Sequence, residues 1–192
     1  VGPRGYRPPA DPAPSRILTV AASPTQVNGA TGWAAGIRLR VCDMPMSENA
    51  ALAGMKTLNR LDQVLARAEW TSADYAEGLM LTADRLVIGG TMSNVFFVDQ
   101  GTLVTPSLDR CGIRGVMRRV VLEEAGKMGI EFSERPVPIE FARTADELFV
   151  CNSLHGIGPV IALEDEDRQP GSLTRQLMSA LSARGVTECD AW

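Results

Sequence analysis

Short apolar runs, each stopped by a glycine, a proline or a polar turn before it reaches helical length, recur through this chain and confine it to a sheet-rich fold. Glu77–Thr82, Leu86–Ile88, Glu147–Asn152 and Gly156–Leu163 read as strands. Asn94–Val98 and Thr102–Thr105 flank Asp99-Gln100-Gly101 and predict a hairpin. Ile37–Cys42 alternates apolar and basic residues, as a half-buried strand does, and Arg16–Ala22 is a β-branched run that also reads as a strand. A further short strand is expected near Val137, and Gly89-Gly90 is expected to break the strand before it.

Three longer stretches carry helical spacing instead. Lys56–Glu69 places Leu58, Leu61, Leu65 and Ala68 on one stripe. A second helix is predicted from about Gly115 to Lys127, with Val116, Val120 and Ala125 among its buried positions and Gly129 just past its end. The last helix is predicted to be capped by Ser172, to repeat leucine at 173, 177 and 181, and to stop at Gly185. A single turn of helix is expected around Ala142–Ala145. The fold class is therefore α+β.

Charge narrows the function. The net charge is −4, with acidic and basic residues interspersed, which leaves no basic footprint for nucleic acid. No apolar run reaches the ~18 residues of a membrane span. Cys42, Cys111, Cys151 and Cys189 show no CxxC spacing and read as reduced thiols of a cytoplasmic protein. The start at Val1-Gly2-Pro3-Arg4 is neither a signal peptide nor an initiator Met, and suggests a chain that begins mid-protein.

There is no P-loop, no GxSxG elbow and no HExxH, and the lone histidine, His155, has no nucleophile motif beside it. Lys56 follows a glycine-containing loop, Ala53-Gly54-Met55, where the predicted helix begins. It can be an ordinary solvated lysine. A helix N-terminus also repels a cation and so favours the neutral amine that nucleophilic lysine chemistry needs. Gly112-Ile113-Arg114-Gly115-Val116-Met117-Arg118 leads a loop into a helix whose free N–H groups suit a phosphate, and Asn152-Ser153 offers a second set of small polar donors.

Taken together, these segments resemble a known family. Ala53-Gly54-Met55-Lys56-Thr57-Leu58-Asn59-Arg60-Leu61 is similar to the Schiff-base lysine segment of the class-IV aminotransferases and aminodeoxychorismate lyases. Gly90-Thr91-Met92-Ser93-Asn94-Val95-Phe96 resembles their G-x-x-(S/E)-N-[LV]-F segment, and Thr105-Pro106 with Gly115-Val116-Met117-Arg118 resembles their TP…GI(T/M)R phosphate turn. Ala145-Asp146-Glu147-Leu148-Phe149-Val150-Cys151-Asn152-Ser153, with Pro159-Val160, resembles their ADE(V/L)F…PV segment, and Arg4-Gly5-Tyr6 an RGY near the end of their small domain. The wording KTLNRL, with NSL near the end, points to the lyase branch.

The resemblance implies a fold-type-IV pyridoxal-phosphate enzyme. Residues 1–28 would be the end of a small N-terminal domain, largely absent, and the linker, and residues 29–192 the large β pseudo-barrel domain with flanking helices. Lys56 would hold pyridoxal phosphate and shuttle the proton. Backbone N–H groups of Val116 and Met117, with Ser153 and Asn152, would hold the phosphate, and Ile113 would pack on the ring. Arg4 and Tyr6 would lie near the substrate carboxylates. The implied reaction is loss of pyruvate from 4-amino-4-deoxychorismate to give 4-aminobenzoate for folate synthesis, by a homodimer that engages neither nucleic acid nor membrane.

One departure stands out. Gly89 aligns with a glutamate that in the family pairs with the ring nitrogen and strengthens the electron sink. That loss suits a lyase, whose product becomes aromatic, better than the alternative, a class-IV aminotransferase for D-amino or branched-chain amino acids. A catalytically inactive large domain is the other alternative. A visible band from bound cofactor separates living from dead, and the product, 4-aminobenzoate or a 2-oxo acid, separates lyase from aminotransferase.

Overall fold

A computed structural model describes residues 5–21 and 32–190. The chain divides into two units, Val1–Ala30 and Thr31–Trp192. In the first, residues 5–21 are exposed throughout and hold neither helix nor strand. The strand expected at Arg16–Ala22 is therefore not formed over residues 16–21, and residue 22 lies outside the described residues. β-branched residues favour a strand only where a ladder and a packed face receive them, and these residues have neither.

The described residues of the second unit hold nine strands and four α-helices: β1 (Ile37–Val41), α1 (Leu61–Arg67), β2 (Glu77–Leu81), β3 (Val87–Gly90), β4 (Asn94–Asp99), β5 (Thr102–Pro106), α2 (Val116–Lys127), β6 (Phe132–Arg135), α3 (Ile139–Thr144), β7 (Glu147–Asn152), β8 (Gly156–Leu163), β9 (Glu166–Asp167) and α4 (Ser172–Ala183). The strands form one mixed sheet in the order β3-β2-β1-β8-β7-β4-β5-β6, with β9 beside β8. Its two ends approach each other: Leu86 bridges Pro138, and Val87 N–H donates to the Val137 carbonyl at 2.8 Å. The α+β class and the barrel-like curl agree with the sequence reading.

The period-two rule accounts for the core. Along β4, Val95 and Phe97 enter the inner cluster with Leu39, Leu79, Val104 and Val150. Phe96 and Val98 point the other way, into a second cluster with Val121 and Ala125 of α2 and Leu177, Met178 and Leu181 of α4. The hairpin lies where Asp99-Gln100-Gly101 predicts it. Gln100 and Gly101 take φ of 48° and 83°, the left-handed pair of a tight turn.

Several expectations are corrected. The first helix starts at Leu61 rather than Lys56. Gly54 forms a parallel bridge to Ile113, its N–H donating to the Gly112 carbonyl and its carbonyl accepting from Arg114 N–H, both at 3.0 Å. Lys56 thus lies five residues before the helix, so the helix-dipole argument for Lys56 does not apply. The predicted stripe is also not buried: Leu58, Leu61, Leu65 and Ala68 are exposed, and the buried residue of α1 is Ala66. In α2 the buried residues are Arg118, Val121 and Ala125, while Val116 is exposed. The strand expected near Val137 ends at Arg135. Gly89 and Gly90 continue β3 rather than breaking it, and neither has a positive φ.

Ser172 does not cap α4. The buried carboxylate of Glu147, on β7, accepts from Leu173 N–H at 3.0 Å, Thr174 N–H at 2.8 Å and Thr174 Oγ1 at 2.6 Å. A β-carbon on Gly171 would stand 1.9 Å from that carboxyl carbon, which explains why a glycine precedes the helix. No helix among the described residues is long and apolar enough to cross a membrane.

Candidate active site

A cleft of about 570 Å³ opens where four separate segments meet: the turn at Gly54–Arg60, the wall from Ile88 to Asn94, the turn from Gly112 to Met117, and the end of β7 at Cys151–Leu154. Lys56, Gly89, Ile113, Val116, Met117, Asn152 and Ser153, which the sequence singles out from distant positions, all line it. Its volume lies within the range of small-molecule sites. Arg4 lies outside the described residues, and Tyr6, in the first unit, is fully exposed.

The turn into α2 is shaped by Asn94. Its Nδ2 donates to the Ile113 carbonyl at 2.8 Å and its Oδ1 accepts from Gly115 N–H at 3.2 Å. Gly115 precedes the helix and brings no side-chain cap. The motif partner of this turn is structural. Buried Arg118 donates through Nη2 to the Pro106 carbonyl at 3.1 Å and pairs with Glu134 at 2.6 Å, which ties α2 to the end of β5.

The wall opposite is held by a residue that the sequence reading did not single out. Glu77, at the start of β2, is wholly buried. Its Oε1 accepts from Gly78 N–H at 2.8 Å, Thr91 N–H at 2.9 Å and Thr91 Oγ1 at 2.5 Å. Its Oε2 accepts from Met92 N–H at 3.0 Å and Ser93 Oγ at 2.9 Å. Five donors on one carboxylate offset the cost of burying it and fix the turn from Gly90 to Ser93. Gly89 and Gly90 are small for this reason. A β-carbon at 89 would stand 2.8 Å from the Ser93 carbonyl oxygen, and one at 90 would stand 2.7 Å from the Glu77 carboxyl. Close approach, not a positive φ, accounts for both glycines.

Asn152 is largely occupied. Its Oδ1 accepts from Leu154 N–H at 2.9 Å and His155 N–H at 2.8 Å, and its Nδ2 lies 3.5 Å from the Met92 carbonyl. Exposed Ser153 is the freer donor. Cys151 lines the cleft, but burial pushes its thiol far up from the ordinary value, so it is no nucleophile. His155 stacks on Trp33 with ring centroids 4.5 Å apart, and burial pushes its pKa down.

The electrostatics of the cleft are one-sided. Lys56, Arg60 and Arg114 line it and no Asp or Glu does, although the chain as a whole is acidic. No ion pair among the described residues involves any of the three. One primary amine, an uncapped helix start, a serine hydroxyl and two guanidiniums form a donor set that fits an anionic carbonyl compound such as pyridoxal phosphate. Arg60 and Arg114 were not singled out from the sequence. The signal that could have found them is the concentration of cations around the two glycine-containing turns.

Comparison with known proteins places this architecture. The pattern of the family described as Amino-transferase class IV matches residues 1–163. An aminodeoxychorismate lyase of Vibrio harveyi is 33% identical over 185 residues, covering 94% of this chain and 68% of that protein. A probable branched-chain-amino-acid aminotransferase of Thermotoga maritima is 35% identical over 127 residues, covering 65% of this chain and 46% of that protein. The crystal structure of 4-amino-4-deoxychorismate lyase from Pseudomonas aeruginosa superposes with a TM-score of 0.91 at 46% identity, over 96% of this chain and 68% of that one. The chain belongs to the class IV aminotransferase family.

Proposed function

We propose that this chain is the cofactor-binding part of an aminodeoxychorismate lyase, which removes pyruvate from 4-amino-4-deoxychorismate and leaves 4-aminobenzoate. The observation that carries this reading is the 46% identity to the Pseudomonas aeruginosa lyase over 96% of the chain. The match to a branched-chain aminotransferase quoted above stops at 65% of the chain.

Pyridoxal phosphate is the cofactor of this family, and when bound it supplies an electron sink beside the substrate amine. The residues of the cleft fit it. The amine of Lys56 is the group that would hold the cofactor carbonyl. The N–H groups of Val116 and Met117 and the hydroxyl of Ser153 would hold the phosphate, as an uncapped helix start does. Ile113 would pack on the ring, and Gly89 lets the ring approach the wall that Glu77 fixes. Lys56 Nζ would take the proton from the amino-bearing ring carbon of the substrate. The neighbouring C–O bond then breaks, the enolate that leaves becomes pyruvate on gaining a proton, and the ring becomes aromatic. Arg4 and Tyr6 belong to this reading as contacts to the substrate carboxylates, and residues 1–28 as the end of a smaller domain and its linker.

Assembly as a homodimer is part of the same proposal. Leu61, Val64 and Leu65 share one face of α1 and are 60%, 60% and 47% exposed, a surface suited to a second copy. The four cysteines are buried and unpaired, which suits the reducing cytoplasm. Incubation of the full-length protein with 4-amino-4-deoxychorismate should yield 4-aminobenzoate and pyruvate in equal amounts. Release of a 2-oxo acid from D-alanine or leucine, without 4-aminobenzoate, would replace this reading with an aminotransferase.

A further inference from the structure

Arg60 lines the cleft four residues after Lys56, at the residue that precedes α1. Its Nε donates to the Thr57 carbonyl at 3.2 Å and its Nη2 to Thr57 Oγ1 at 2.9 Å. The guanidinium is therefore tied to the turn that carries Lys56, while Nη1 has no hydrogen-bond partner among the described residues. A guanidinium carries five N–H donors in a rigid fork. This one is partly buried, held in place, and unpaired with any carboxylate. A half-buried cation with fixed orientation and no counter-charge is a site prepared for an anion.

In the proposed function the cofactor phosphate has other donors, the amides of Val116 and Met117 and the hydroxyl of Ser153. Lys56 is the group that would hold the cofactor carbonyl, so it is not offered to a second anion. Arg114 is exposed, its aliphatic stem lies against Gly54, and its guanidinium makes no hydrogen bond among the described residues. Arg60 is the one cation of the cleft whose head group is oriented by hydrogen bonds. We infer that Arg60 receives a carboxylate of the substrate and selects a compact dicarboxylate over a monocarboxylate.

The inference rests on the lyase reading, because the proposed substrate carries two carboxylates where D-alanine or leucine carries one. A planar fork meets a carboxylate through two parallel hydrogen bonds, whereas a lysine at the same place offers a point charge only. Specificity then lies in the pairing of Arg60 with the second carboxylate. Without it the substrate still reaches Lys56, but more weakly.

The experiment compares full-length wild type, Arg60→Gln and Arg60→Lys, each loaded with pyridoxal phosphate. Binding of isophthalate, an aromatic dicarboxylate, and of benzoate is measured by calorimetry. Cofactor affinity is measured by absorbance titration, and KM by 4-aminobenzoate formation. Wild type should prefer isophthalate. Arg60→Gln should abolish the preference and raise KM by roughly tenfold to a hundredfold, the effect of losing a charge-assisted hydrogen bond. Cofactor affinity should stay within about threefold, and Arg60→Lys should recover part of the loss. An unchanged preference in Arg60→Gln overturns the inference, and so does a parallel fall in cofactor affinity. If the glutamine variant does not fold, Arg60→Lys decides: its isophthalate affinity must fall while cofactor affinity holds. A wild type that makes no 4-aminobenzoate sinks the lyase reading, and the isophthalate preference then judges Arg60 on its own.

Discussion

The side-chain oxygen of Asn94 occupies the space that a β-carbon on residue 115 would need: a Cβ built on Gly115 stands 2.3 Å from it. The same oxygen accepts the Gly115 N–H, so one residue at the start of β4 both shapes the turn into α2 and requires a glycine there.

Asn94→Ala should therefore lower stability by about 1–2 kcal/mol, because it removes two hydrogen bonds from the turn and leaves the Gly115 N–H and the Ile113 carbonyl only their 3.0 Å bond to each other. Gly115→Ala should have a similar cost by collision. Both variants should hold pyridoxal phosphate more weakly, read by absorbance titration beside denaturant unfolding. Wild-type cofactor affinity in both would remove the turn into α2 from the phosphate site.

Lys56 and Lys127 are the two lysines of the chain. Lys127 pairs with Glu124 at 3.0 Å on α2 and does not line the cleft. Borohydride reduction of the cofactor-loaded protein, followed by peptide mapping, should place the pyridoxyl group on Lys56. An adduct on Lys127 would refute the assignment.

At Gly89 the collision with the Ser93 carbonyl gives a direction. Gly89→Ala should destabilise the protein by about 1–3 kcal/mol, the cost of overpacking a fixed turn. Gly89→Glu meets the same collision before its carboxylate can serve a ring nitrogen. It should strengthen cofactor retention and raise side transamination only if the Ser93 carbonyl moves. Unfolding curves of Gly89→Ala that overlay wild type would show that the turn yields, and that backbone crowding does not require the glycine.

His155 is the only histidine, so its titration can be followed without overlap. Its Nδ1 is buried without a hydrogen-bond partner among the described residues, and desolvation outweighs the attraction of Glu188 and Glu77. A folded pKa below the unfolded value near 6.5 means that the unfolded chain binds the proton more readily. The neutral ring's contribution is then complete above about pH 6.5 and is lost as pH falls towards the folded pKa. The imidazole resonance should titrate below 6.5. His155→Phe, which keeps a ring against Trp33, should flatten the fall in thermal stability between about pH 7 and 5. An imidazole midpoint above 6.5 would reverse the sign and the argument.

What the sequence determined by itself is whatever depends on neighbours along the chain. Alternation located β1, short apolar runs bounded by turn residues located β4, β5, β7 and β8, and glycines at 101, 129 and 185 marked turns whose positive φ the structure confirms. The order of motifs was enough to name seven residues that prove to line one cleft. Contacts across long separations decided the rest. Gly54 pairs with Ile113 and α1 begins only at Leu61, which leaves Lys56 outside it, and α4 is capped by Glu147 rather than Ser172. The wall at 90–93 stands on Glu77, and residues 16–21 form no strand. Local pattern reports how a segment could be used. A hydrogen bond to a residue many positions away is stronger than the propensity difference it overrides, and only the tertiary structure shows where that bond is made.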